Sequence, residues 1–168
     1  MRYHSIALVL ILLANLLLIG CDPAPPAGAF PERVGNFERM QNVASFRESD
    51  YILHRGDYGH KDPHMHSIWR DISYDLRVYP SATQAEAALQ AKSQDTSNEY
   101  ERVTWEDRLN ESGEKVGKML VVSTVREEGN SVMGYCNVIY TQGSYYVYLY
   151  SHQPSCEPAK KFQQGLSF

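Results

Sequence analysis

The sequence predicts an α+β domain: an antiparallel sheet of about five strands, with one helix after an early strand and a second helix at the C-terminus. Three observations carry that expectation. Residues 66–79 alternate between apolar and polar, residues 82–93 hold an apolar stripe at helical spacing, and the chain beyond residue 100 is a series of β-rich runs joined by short polar turns.

The first strand is read from His66 to Tyr79. Ile68, Ile72, Tyr74, Leu76 and Val78 fall on one face, with Ser67, Asp71, Ser73, Asp75 and Arg77 on the other. Pro80 ends it. Ser81 followed by Gln84 makes a capping box, and Ala82, Ala85, Ala88 and Leu89 form a small-sided stripe, so a helix is expected from Ala82 to Ser93, packed closely on the sheet. Tyr100–Leu109 then turns at Glu111-Ser112-Gly113 into Val116–Arg126. Glu128-Gly129-Asn130 leads into Ser131–Thr141, and Gln142-Gly143 into Ser144–Ser151. In that last strand Val147 and Leu149 share one face, and Tyr146, Tyr148 and Tyr150 the other. Apolar or aromatic residues on both faces predict cover on both sides of the sheet, part of it from a final helix at Cys156–Leu166. The tyrosine stripe is then either an exposed interface or core beneath a helix.

The amino terminus has a different character. After Arg2, Ile6–Ile19 is an apolar run broken only by Asn15. At 1.5 Å per residue it spans about 21 Å, short of a hydrocarbon core of about 30 Å but suited to a secretory segment. Leu18-Ile19-Gly20-Cys21 closes the run and resembles the lipobox of bacterial lipoproteins. The resemblance implies cleavage before Cys21, lipid on the Cys21 thiol, and membrane anchoring through two or more acyl chains. It also implies a location at the cell membrane facing the periplasm, with Asp22 favouring the inner over the outer membrane. Residues 1–20 are therefore read as a signal peptide. Residues 21–31, with four prolines, are read as the lipidated cysteine and an extended linker, and residues 32–168 as one globular domain. Phe30-Pro-Glu-Arg-Val-Gly-Asn-Phe-Glu-Arg39 and the element order after it resemble small bacterial lipoproteins with a fold like the photosystem accessory protein PsbP, a likeness that bears on fold alone.

Charge narrows the partners. Of 16 basic side chains, Arg2 leaves with the first 20 residues, so 15 face 20 acidic ones. An acidic excess argues against nucleic acid and against a polybasic membrane signal. With Cys21 assigned to lipid, Cys136 and Cys156 remain as a pair in an oxidising compartment, where a disulfide is expected. A redox or metal thiol pair is the alternative, and closer spacing such as Cys-x-x-Cys would favour it.

The most chemically suggestive stretch runs from His54 to His66. His54, His60, His64 and His66 lie within 13 residues of one another, beside Asp57 and Asp62. Imidazoles suit zinc and copper, yet Gly56, Gly59 and Pro63 read as a flexible loop, so a solvated polar loop and a metal site both stand as readings. Elsewhere there is no nucleophile elbow, phosphate-cradling glycine loop, dinucleotide fingerprint or zinc-protease helix. The expectation is a non-catalytic binding or assembly module in the cell envelope, without cofactor and with an envelope protein as partner. The alternative is a metal-binding envelope lipoprotein using the His54–His66 loop.

Overall fold

Alternation around residue 74 and the turns beyond residue 110 produce strands as expected, but they join a larger sheet. The computed structural model describes residues 24–61, 68–95, 101–128, 131–151 and 153–166, so the expected signal segment, Cys21, His64 and His66 lie outside the described residues. The elements are β1 (Arg33–Val34), β2 (Phe37–Arg39), β3 (Ala44–Arg47), β4 (Ile52–Lys61), β5 (Ile68–Val78), α1 (Ala82–Ser93), β6 (Glu101–Leu109), β7 (Lys115–Glu128), β8 (Ser131–Gln142), β9 (Tyr145–Ser151) and α2 (Glu157–Gln164). All nine strands form one antiparallel sheet in the order β1-β2-β4-β5-β9-β8-β7-β6, with β3 also paired to β4. The fold is therefore β-rich, not an α+β domain of about five strands. No helix among the described residues is long and apolar enough to cross a membrane.

The correction lies in the N-terminal third. β4 occupies most of the stretch read as a flexible histidine loop. Gly56 looks like a loop signal, yet it sits mid-strand because a Cβ there would come 3.0 and 3.2 Å from ring atoms of Phe30. The glycine marks a close approach rather than a turn. β1, β2 and β3 are two to four residues long, too short for any period to show.

One sheet face carries Tyr58 from β4, Ile72, Tyr74 and Leu76 from β5, Val147 and Leu149 from β9, Val138 and Tyr140 from β8, and Met119 and Val121 from β7. Both ends of the described chain cover it: Ala29, Phe30 and Val34 from one, Ala159 and Phe162 of α2 from the other. Phe30 stacks on Tyr74 at 4.4 Å and Phe162 meets Tyr58 edge-on at 4.6 Å. The second face is covered in part by α1, whose Ala85 and Leu89 pack on Leu120, Val122, Ile139 and Tyr146. Ser81 caps that helix by accepting a hydrogen bond from the Gln84 N–H.

Cys136 on β8 is joined to Cys156, just before α2, by a disulfide with a Cα–Cα distance of 5.1 Å. It fastens the covering helix to the middle of the sheet. Closing a loop over a sequence separation of 20 restricts the unfolded chain, so replacing both cysteines with serine is expected to lower unfolding free energy by about 3 kcal/mol in urea titrations, with the sheet retained. Burial also pushes the phenols of Tyr58, Tyr140 and Tyr148 up to about 12. The unfolded chain ionises these groups near pH 10 and the folded one does not, so stability holds below pH 10 and falls as pH rises towards 12. An alkaline titration should show tyrosinate absorbance and loss of sheet signal rising together. Ionisation of these phenols near pH 10 in a chain still folded would contradict the packing described.

Candidate functional site

The sheet pairing breaks once between β4 and β5, and that break builds a cleft. Tyr58 pairs with Ile72 and Gly59 with Arg70, which leaves Asp71 as an extra residue on β5. Its carboxylate turns towards His60. Asp71 Oδ2 accepts the His60 backbone N–H at 3.0 Å and lies 2.5 Å from His60 Nδ1, while Oδ1 accepts Gln153 Nε2 at 3.1 Å. Asp71 is 4% exposed, whereas the His60 side chain is half exposed. A carboxylate can only accept, so Nδ1 carries the proton. Nε2 is then left as an acceptor in the neutral ring and a donor in the charged one.

This pair forms one wall of a cleft of about 460 Å³. The hairpin of β1 and β2 supplies Val34 and Phe37, and turns through Gly35 at φ 55°, a backbone conformation suited to glycine. The start of α2 supplies Glu157, Pro158 and Lys161. Phe37 rests edge-on against Phe162 at 5.7 Å, so the apolar wall is tied to the core. The volume and the mix of apolar surface with a few fixed polar groups are those of a ligand site. Among the described residues lining the cleft there is no serine, threonine or cysteine, hence no hydroxyl or thiol nucleophile for covalent chemistry. The arrangement can seat an apolar group and hold a polar one at the His60 imidazole.

The structure separates the histidines that the sequence grouped. His54 is 2% exposed on the core face of β4, its ring edge-on to Phe30 and its Nδ1 2.8 Å from Ser45 Oγ. Burial lowers its pKa, which favours the neutral ring. His60 is six residues along the same strand, a span of about 20 Å. His64 and His66 lie outside the described residues. Among the described residues no group of three His, Cys, Asp or Glu side chains comes together to hold a metal ion.

The tyrosine stripe divides. Tyr146 is core beneath α1, while Tyr148 and Tyr150 are half-buried and line a recess of about 260 Å³ with Arg55, Asp57, Ser73 and Asp75. The polar groups of that recess satisfy one another. Arg55 donates through Nε and an η nitrogen to the two Asp75 oxygens at 2.6 Å each, Ser73 donates to Asp57 at 2.7 Å, and Gln41 donates to the same carboxylate at 2.9 Å. Arg77 rests over the rings of Tyr51 and Tyr146 at 5.2 and 5.1 Å. The hydrogen bonds among Arg55, Asp57, Ser73 and Asp75 tie β4 to β5 beneath Tyr148 and Tyr150 of β9.

Sequence reasoning missed Asp71 and Gln153. The alternation placed Asp71 on the polar face, and only the bulge turns it inward. No family model, curated protein or solved structure matches the chain.

Asp71→Ala leaves the His60 backbone N–H without its acceptor and is expected to cost about 1–3 kcal/mol in urea unfolding. In nitrogen NMR, His60 should be the Nδ1–H tautomer in the wild type and a mixture in the variant. An unchanged tautomer would show that Asp71 does not orient the ring.

Proposed function

We propose that the chain is a bacterial lipoprotein whose domain, residues 32–168, is a non-catalytic binding module in the cell envelope, receiving a partner protein in the cleft beside His60 and Asp71. The cleft is the observation that carries the binding part. It joins an apolar wall from Val34, Phe37 and Pro158 to an imidazole whose orientation Asp71 sets, and its described lining has no serine, threonine or cysteine. An apolar side chain of the partner would fill the wall, and a neighbouring polar group would meet His60.

The anchoring part rests on the Leu18-Ile19-Gly20-Cys21 motif after an apolar run too short to span a bilayer. The Cys136–Cys156 disulfide supports it, since such bonds persist in oxidising compartments. Ala29 and Phe30 pack into the core, which leaves residues 22–28 as the tether. Fully extended at about 3.1 Å per residue, they would hold the domain up to about 20 Å from the bilayer, within reach of a membrane-bound or periplasmic partner.

Two measurements test the proposal separately. Cys21→Ser is expected to abolish lipid labelling and release the chain from the membrane fraction. A variant that stays lipidated and membrane-bound would end the lipoprotein reading. A photo-crosslinking residue at Phe37 is expected to give a discrete protein adduct in cells, lost on His60→Ala, while the same group at the exposed Gln90 of α1 does not. Identical adducts from the two positions would end the binding reading.

A further inference from the structure

The sheet has two unequal ends. At one, β1 is two residues long and β3, paired beside it to β4, is four, short enough that little backbone is offered to another chain. At the other, β6 runs for nine residues with β7 on one side and no strand among the described residues on the other. Trp105 in its middle is 44% exposed. A long edge with an exposed tryptophan invites pairing, and natural edges are normally blunted by charge. The charges on this edge are ordered in a way that selects one partner.

β6 reads Glu101-Arg-Val-Thr-Trp-Glu-Asp-Arg-Leu109. Two copies of one strand pair antiparallel about an axis normal to the sheet, so each register is named by the residue that meets itself. Centring on Trp105 sets Arg102 against Arg108. A centre at Glu106 sets that carboxylate against its own copy. One at Val103 leaves only residues 101–105 paired and puts Arg102 opposite Thr104.

Centring on Thr104 pairs Arg102 with Glu106 twice on one face and Val103 with Trp105 twice on the other. Its one like-charged combination, Glu101 with Asp107, also made twice, is already neutralised within each copy. Glu101 takes a hydrogen bond from Tyr135 at 2.7 Å and lies 3.6 Å from Lys92, and Asp107 lies 3.1 Å from Lys115 and 2.5 Å from Lys118. Glu106 holds Lys160 of its own α2 at 2.7 Å. Arg102 is exposed, and among the described residues it has no partner within its own chain.

We infer that β6 is an edge that pairs with itself: two copies of this chain join antiparallel about Thr104 to make one sheet across both. Residues that meet themselves across such an axis have Cα atoms about 4.5–5.5 Å apart, a separation that a disulfide spans. The test uses the purified full-length chain in mild detergent, oxidised with copper phenanthroline and read on a non-reducing gel. Thr104→Cys is expected to give a crosslinked dimer, and Gln90→Cys, on the exposed side of α1, to give only the background of random collisions. Adding Arg102→Glu to Thr104→Cys sets like charges at both outer pairs and is expected to lower dimer yield about tenfold. Adding Glu106→Arg as well restores opposite charges and the dimer. A Thr104→Cys yield no higher than that of Gln90→Cys overturns the inference. Indifference to Arg102→Glu, or failure of the double exchange to restore the dimer, overturns it too.

Discussion

The ladder between β5 and β9 is the constraint on which the rest of the molecule depends. Ile72–Val78 pairs with Tyr145–Ser151 in seven consecutive matches, joining five N-terminal strands to the last strand of a four-stranded meander. On one face it aligns Tyr74 with Leu149 and Leu76 with Val147, which makes the larger core continuous. On the other it aligns Asp75 with Tyr148 and Arg77 with Tyr146, joining the Arg55–Asp75 pair to the aromatic patch below α1. A slip of one residue would exchange the two faces and bury Asp75 and Arg77 among Phe30, Phe162 and Tyr58. The register is held by what each face can tolerate.

The cleft follows from how that core is covered. Both ends of the described chain lie over the same face, Ala29–Phe37 on one side and α2 on the other, and they meet near the one irregularity that the β4–β5 ladder shows among the described residues. At that seam the extra residue Asp71 leaves the face of Ser73 and Asp75, on which the alternation puts it, and lines the cleft instead. It is held by the His60 backbone, the His60 ring and Gln153. The site and the β6 edge lie at opposite ends of the sheet order, yet α2 touches both: Pro158 and Lys161 line the cleft, while Lys160 and Gln163 hold Glu106 and Leu109 of β6.

The elements readable in the sequence are those whose signals are local. β5 from Ile72 onward shows a polar–apolar period, the hairpins around Gly113 and Gly143 show short polar turns, and the helix after Ser81 shows its cap. β4 was hidden for the opposite reason. His54, Gly56 and Tyr58 face a core in which a glycine and a histidine are the correct fillings, since Phe30 occupies the space above Gly56 and Ser45 satisfies His54. Neither fact is local to β4. The His60–Asp71 contact was hidden more deeply, since it needs both the strand pairing and its one fault. Cysteine arithmetic fared better: Cys136 and Cys156 pair because the turn after Ser151 returns the chain to β8.

The disulfide has a consequence for when the molecule becomes complete. α2 is eight residues long, too short to persist alone, and it covers Tyr58 and Tyr74 through Phe162. On the sheet it is buried through Ala159 and Phe162, and the disulfide adds a covalent hold just ahead of Pro158. Because Glu157, Pro158 and Lys161 line the cleft, the cavity cannot be complete until this helix has docked on strands that all precede it in the chain.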